Sequence, residues 1–125
     1  MKRNISSPHA PKAVGPYSQA VEINGTLYIS GQLPIDPTTG VFVEGGAAEQ
    51  TAQCLKNIGA ILHEAGYDYP DVVKSTVLMA DMNDFAVMND IYARFYDAPF
   101  PARVACQVAR LPMGALIEIE TIAAK

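Results

Sequence analysis

With 125 residues, half of them hydrophobic and 18% charged, the chain has the length of one domain and enough apolar side chains to bury a core. A net charge of −4, with lysines and arginines scattered in no run longer than Lys2-Arg3, argues against nucleic acid, which needs a basic stripe. With no apolar stretch of roughly 18–20 residues, no leader-like N-terminus and only two cysteines, Cys54 and Cys106, the expectation is one soluble, cytoplasmic domain over 1–125 with no membrane partner.

Residues 17–23 read as a strand, Asn24-Gly25 as a hairpin turn and residues 26–30 as the returning strand. Asn24-Gly25-Thr26 also fits the N-glycosylation pattern, but the turn is the better reading outside a secreted protein. Residues 31–40 carry Pro34, Pro37 and Gly40, an extended segment ending in a turn, and 41–43 could add a short strand. Over 47–66, Thr51, Leu55, Ile58, Leu62 and Ala65 recur at three and four, which predicts a helix stopped by Gly66. The β-branched run 71–80 predicts a strand. Residues 81–97 predict a second helix, capped by Asp81 or Asn83, with Phe85, Met88, Tyr92 and Phe95 as its apolar stripe. After Pro99 and Pro101, residues 103–111 and 116–124 read as two strands joined by a turn at 112–115. The order predicts an α+β fold, a mixed sheet with two helices on one face.

Strand alternation sorts the side chains into faces. Val104, Cys106, Val108 and Arg110 share one face of their strand; Arg103, Ala105, Gln107 and Ala109 share the other. Two valines beside Cys106 predict that it packs in the core as a small hydrophobe, and Cys54, beside Leu55, is read the same way. A nucleophilic cysteine would want a nearby histidine, and the only two are His9 in the polar arm and His63 in the first helix. In the last strand Ile117, Ile119 and Thr121 oppose Glu118 and Glu120. Several strands thus present a polar or small-residue face. It is either open to solvent, as antiparallel sheets commonly are, or covered by another subunit, with a few polar groups held in a cleft. No metal-spaced His/Cys cluster, Gly-x-Gly-x-x-Gly or P-loop occurs, so no metal or cofactor is expected.

Five blocks, "GPYSQAV", "YISGQLPIDPTTG", "VVKSTVLMADMNDFAVMNDIYARFY", "FPARVACQVARLP" and "IEIETIA", resemble the reactive intermediate deaminase (RidA/YjgF) family in order and spacing, over roughly residues 4–124. The resemblance implies a chorismate-mutase-like fold assembled as a homotrimer, its sheets forming a central barrel with clefts between subunits. It implies hydrolysis of 2-imino or 2-enamino acids, such as 2-aminoacrylate and 2-aminocrotonate, to 2-oxo acids and ammonia. Matched by motif, Arg103 would anchor the substrate carboxylate and Glu118 would handle the attacking water. Tyr17, Ser30 and Gly31 would line the cleft, with Asn89 near it. Many relatives carry cysteine where this chain has Ala105; a backbone contact there survives, a thiol mechanism does not.

The chemistry is coherent. A guanidinium fork grips a carboxylate with two charge-assisted hydrogen bonds and fixes its orientation. A carboxyl group with its pKa raised toward neutrality can take a proton from water and return it to a leaving amine. Without the resemblance, Glu118 would read as a solvated strand glutamate. A non-catalytic small-molecule-binding regulator on the same scaffold is the alternative. Chorismate mutase proper would need several converging cations for its dicarboxylate, and this chain offers Arg103, with Arg110 on the opposite face.

Overall fold

Asn24 (φ 52°) and Gly25 (φ 76°) occupy the left-handed pair of positions that a tight two-residue hairpin requires. The strands they join are β2 (Ala20–Ile23) and β3 (Thr26–Gln32) of a computed structural model that describes all residues 1–125. The other elements are β1 (Arg3–Ile5), α1 (Ala47–Glu64), β4 (Val72–Met79), α2 (Phe85–Ala93), β5 (Ala102–Gln107) and β6 (Ile117–Ala124). They form one six-stranded sheet in the order β1-β2-β3-β6-β4-β5. All neighbouring pairs are antiparallel except β4 with β5. The mixed α+β sheet with two helices is therefore as expected.

The buried stripe of α1, namely Cys54, Leu55, Ile58, Ile61 and Leu62, packs on Leu27 and Ile29 of β3 and Ile117, Ile119 and Ala123 of β6. α2 lies beside α1 and contributes Met88 and Tyr92 to the same core. Both helices cover the face that carries Ser75, Val77 and Met79 of β4, all fully buried. The opposite face has no cover within the chain: Tyr28 stays 46% exposed and Val104 49%.

The sequence reading is corrected at several places. The polar N-terminal arm supplies β1, paired to β2 in register Arg3↔Glu22 and closed by an Arg3–Glu22 ion pair of 2.9 Å. Residues 41–43 form no strand; Phe42 makes one isolated bridge to Ile35. The second helix is shorter than expected. Asp81 caps a single 3₁₀ turn, accepting from the Asn83 N–H at 2.8 Å, and the α-helix runs only from Phe85 to Ala93. β5 stops at Gln107, so Val108–Leu111 and Arg110 lie beyond it.

The largest correction concerns Cys106. It is exposed, as is Val104, while Arg103 and Ala105 are partly buried on the helix-covered side. Alternation rightly separated Arg103 from Cys106 but cannot say which side is inside. The helix side of this edge strand is filled by α2's aromatic rings over the arginine, not by the valines. Cys54 is fully buried as expected, and burial, with the nearby Glu118 charge, pushes its thiol well above the usual range.

Candidate active site

The expected site residues fall into two groups. The first belongs to β5 and α2. Arg103 pairs across β4 with Ser75, and Ser75 with Thr121 of β6, a row whose side chains all point under the helices. Its guanidinium carbon sits 4.8 Å from the centre of the Tyr92 ring and 5.6 Å from that of Phe85. It joins none of the chain's three ion pairs. Asn89, Tyr92, Ala93, Phe100 and Pro101 line a concavity of about 400 Å³ with Arg103 on its wall. Ala105 follows on the same face. The Val108 N–H donates to the Met79 carbonyl at 2.9 Å. In a parallel pair alternate residues bond the neighbour, so Ala105, of opposite parity to Val108, turns its N–H and C=O to the free edge of the sheet.

The second group gathers where β3 meets β6. Their register slips between Ile29 and Gln32, so Ser30 and Gly31 stand opposite one residue, Glu120. This β-bulge re-aims the local backbone. Gly31 lies so close to Glu118 that a Cβ on it would run into the Glu118 carboxylate. Ser30 Oγ donates to the Ser18 carbonyl at 2.6 Å and its N–H to Gln19 C=O at 2.9 Å, which ties the bulge to the loop carrying Tyr17. That loop is in turn fastened by the buried Gln19 side chain. Gln19 accepts from Ser7 N–H at 2.7 Å and donates to the Pro11 carbonyl at 2.8 Å. Tyr17 itself is 53% exposed. The Glu118 carboxyl is held above the usual carboxylate range, first by burial and then by the neighbouring Glu120 charge.

The groups do not meet within one protomer. Glu118 pairs with Leu78, and Leu78 with Cys106, on the open face of the sheet. Arg103 belongs to the other face, two strands across and three residues along, roughly 14 Å away from strand spacing and rise. No three His, Cys, Asp or Glu side chains gather to hold a metal ion. Within its own half, each group has usable chemistry: a cation with free donors beside an apolar-walled hollow, and a half-buried carboxyl with a raised pKa. Sequence reasoning read Phe85 and Tyr92 as part of a core stripe, which the packing bears out; their contact with the Arg103 guanidinium was not legible. Their seven-residue spacing puts both on the side of α2 that meets Arg103.

Against known proteins, a family model described as endoribonuclease L-PSP matches residues 7–125. The chain belongs to this family. A bovine (Bos taurus) member, 2-iminobutanoate/2-iminopropanoate deaminase, is 54% identical over 98% of this chain and 90% of its own. A solved structure from Yersinia pestis, described as a conserved Rid family protein of unknown function, superposes with a TM-score of 0.97 at 48% identity, covering 100% of both chains. The Escherichia coli TdcF structure with bound serine gives a TM-score of 0.94 at 40% identity over 98% of each chain. The Rid resemblance read from the five sequence blocks is thus shown across the chain. None of the helices in this family member is long and apolar enough to cross a membrane.

Proposed function

We propose that this protein is a hydrolase that deaminates reactive 2-imino and 2-enamino acids to 2-oxo acids and ammonia. Arg103 and Glu118 would work from different copies of a homotrimer. One observation carries the reading: Arg103 is a guanidinium without a carboxylate partner in its own chain, set in the wall of a concavity. Relatives named as 2-iminobutanoate/2-iminopropanoate deaminases, and a relative holding serine, itself an α-amino carboxylate, support it.

In the reaction, the carboxylate docks on Arg103 and the adjacent C=N carbon is presented to water. An enamine first tautomerises to the imine. Glu118 removes a proton from the water as its oxygen bonds to carbon and the π pair moves to nitrogen. Glu118 returns that proton to the nitrogen, giving the neutral carbinolamine, which then collapses: Glu118 takes the hydroxyl proton as the C=O forms and delivers it to the amine as the C–N bond breaks and ammonia leaves. Orientation and one proton shuttle suffice for such labile substrates. Carboxylate and imine carbons are directly bonded, so anchor and base must lie within one substrate length. In one copy they do not. A second copy covering the open face, which exposes Tyr28 and Val104, would bring Glu118, Gly31, Ser30 and Tyr17 against the Arg103, Asn89 and Ala105 edge of its neighbour.

The coupled assay generates 2-aminocrotonate from threonine with a dehydratase and follows 2-oxobutanoate. Added protein is expected to accelerate its appearance. Arg103→Lys keeps the charge but loses the fork, and should raise KM about ten- to hundred-fold, the worth of about 1.5–3 kcal/mol for a charge-assisted bond. No acceleration by the wild-type protein, or an undiminished rate in Arg103→Ala, would refute the reading. A regulator would bind the imino acid without acceleration. Cleavage of RNA, which the family description evokes, is disfavoured by the net charge of −4.

A further inference from the structure

Arg103 is held in an unusual way for a cation. The arginines that donate hydrogen bonds within the chain are Arg3 and Arg94, each to a carboxylate. Arg103 instead lies against two aromatic rings, at 4.8 and 5.6 Å from their centres, inside the ~6 Å reach of a cation–π contact. The difference matters for binding. A carboxylate partner would consume the N–H fork and have to be displaced by a substrate. A ring face attracts the charge and leaves every N–H donor free.

The Tyr92 ring is itself fixed from behind. It packs against Tyr96 at a 40° tilt with centres 4.8 Å apart, and Tyr96 meets Tyr69 edge-on at 5.7 Å. Tyr69 ends the column by donating its hydroxyl to the Leu55 carbonyl of α1 at 2.8 Å. Gly59 makes this possible, since a Cβ there would collide with the Tyr69 hydroxyl. The column Tyr69–Tyr96–Tyr92 therefore runs from the main helix to the guanidinium. An arginine side chain has about 2 kcal/mol of rotamer entropy to lose on binding. One already clamped loses less of it when the substrate arrives.

We propose that Phe85 and Tyr92 are positioning residues for the reaction: they clamp Arg103 in its carboxylate-binding pose, with Tyr96 and Tyr69 as the backing of the clamp. This rests on Arg103 being the carboxylate anchor. The clamp acts on substrate capture and not on the proton transfers, so it belongs in KM and not in kcat.

The test is steady-state kinetics of the full-length protein in the coupled 2-aminocrotonate assay, with Tm measured for each variant. Tyr92→Leu and Phe85→Leu are each expected to raise KM between about 2- and 30-fold, the range of one cation–π contact, with kcat little changed. Tyr92→Phe keeps the ring and removes a buried hydroxyl that has no hydrogen-bond partner; it should recover the KM that Tyr92→Leu loses. In an Arg103→Ala background, Tyr92→Leu should lower kcat/KM no further. Should Tyr92→Leu fail to fold, Phe85→Leu, at the partly buried start of α2, carries the same comparison. An unchanged KM in the folded leucine variants, or a loss that is additive with Arg103→Ala, overturns the clamp. A wild-type kcat/KM in Arg103→Ala overturns the anchor instead, so the two failures are distinguishable.

Discussion

At the scale of single residues, the proposed role of Glu118 sets function against stability. Its carboxyl is held above the ordinary value of 4.5 by burial first and by Glu120 second. A raised carboxylate pKa means the folded state binds the proton more tightly than the unfolded chain does. Ionised Glu118 therefore opposes folding above its native pKa, and this cost fades as pH falls toward 4.5. Glu118→Gln is expected to raise Tm near neutral pH, by a margin that shrinks as the pH is lowered, while kcat falls by at least about a hundredfold, the common worth of one acid–base group. Thermal melts between pH 4.5 and 8, with activity on the same samples, check both arms. A Tm that drops at pH 7 would mean Glu118 has a stabilising partner. Cys106, by contrast, is no part of this account: it is exposed, and its row on the open face runs through Leu78 to Glu118.

At the scale of elements, the bulge at Ser30–Gly31 brings the β3 backbone against the Glu118 carboxylate. One extra residue on β3 lets Gln32 return to a buried position while Gly31 stays against the Glu118 carboxylate. Gly31 has no left-handed backbone to protect, so Gly31→Ala should leave Tm nearly unchanged. The added methyl displaces the carboxylate, and kcat should fall about tenfold or more, since a misplacement near 1 Å can cost a hundredfold. Melting curves beside kinetics separate the two; a large Tm loss with normal kcat in the folded fraction would reject this role. The elements also show what a sequence reveals. The Asn24-Gly25 hairpin, the α1 stripe and the β6 alternation were legible because each is a local pattern with one solution. The sidedness of β5 was not, because period two fixes relative faces only, and the aromatic face of α2 that decides it is distant in sequence. Phe85 and Tyr92 were hidden in the same way: ring stripes read as core, and it took the third dimension to find Arg103 lying on them. β1 was missed because three residues in a polar arm carry almost no periodic signal.

At the scale of the whole molecule, the sheet has one face packed and one face waiting. Tyr28, Leu78, Val104 and Ile122 place apolar side chains among Glu118, Glu120 and Thr76 on the uncovered side. Val104→Glu is expected to prevent assembly. Light scattering should report a particle roughly three times the chain mass for the wild type, as the proposed trimer requires, and about 13.4 kDa for the variant, with activity lost alongside. Mixing Arg103→Ala with Glu118→Ala, each inactive alone, should restore about a quarter of wild-type activity, the share of clefts that receive both intact residues under random three-fold assembly. No recovery after confirmed subunit exchange would place both residues in one copy's site. That Arg103 and Glu118 sit on opposite sides of one sheet was not readable from the chain, because strand order and register belong to no local segment.

That two-sidedness has a genetic consequence. In the proposed ring each copy would lend its arginine edge to one neighbour and its glutamate face to the other. A single polypeptide carrying both lesions, Arg103→Ala and Glu118→Ala, would spoil two of the three clefts of any ring it joins. Such an allele would poison its wild-type counterpart in proportion to its expression, whereas a variant that cannot enter the ring would be recessive.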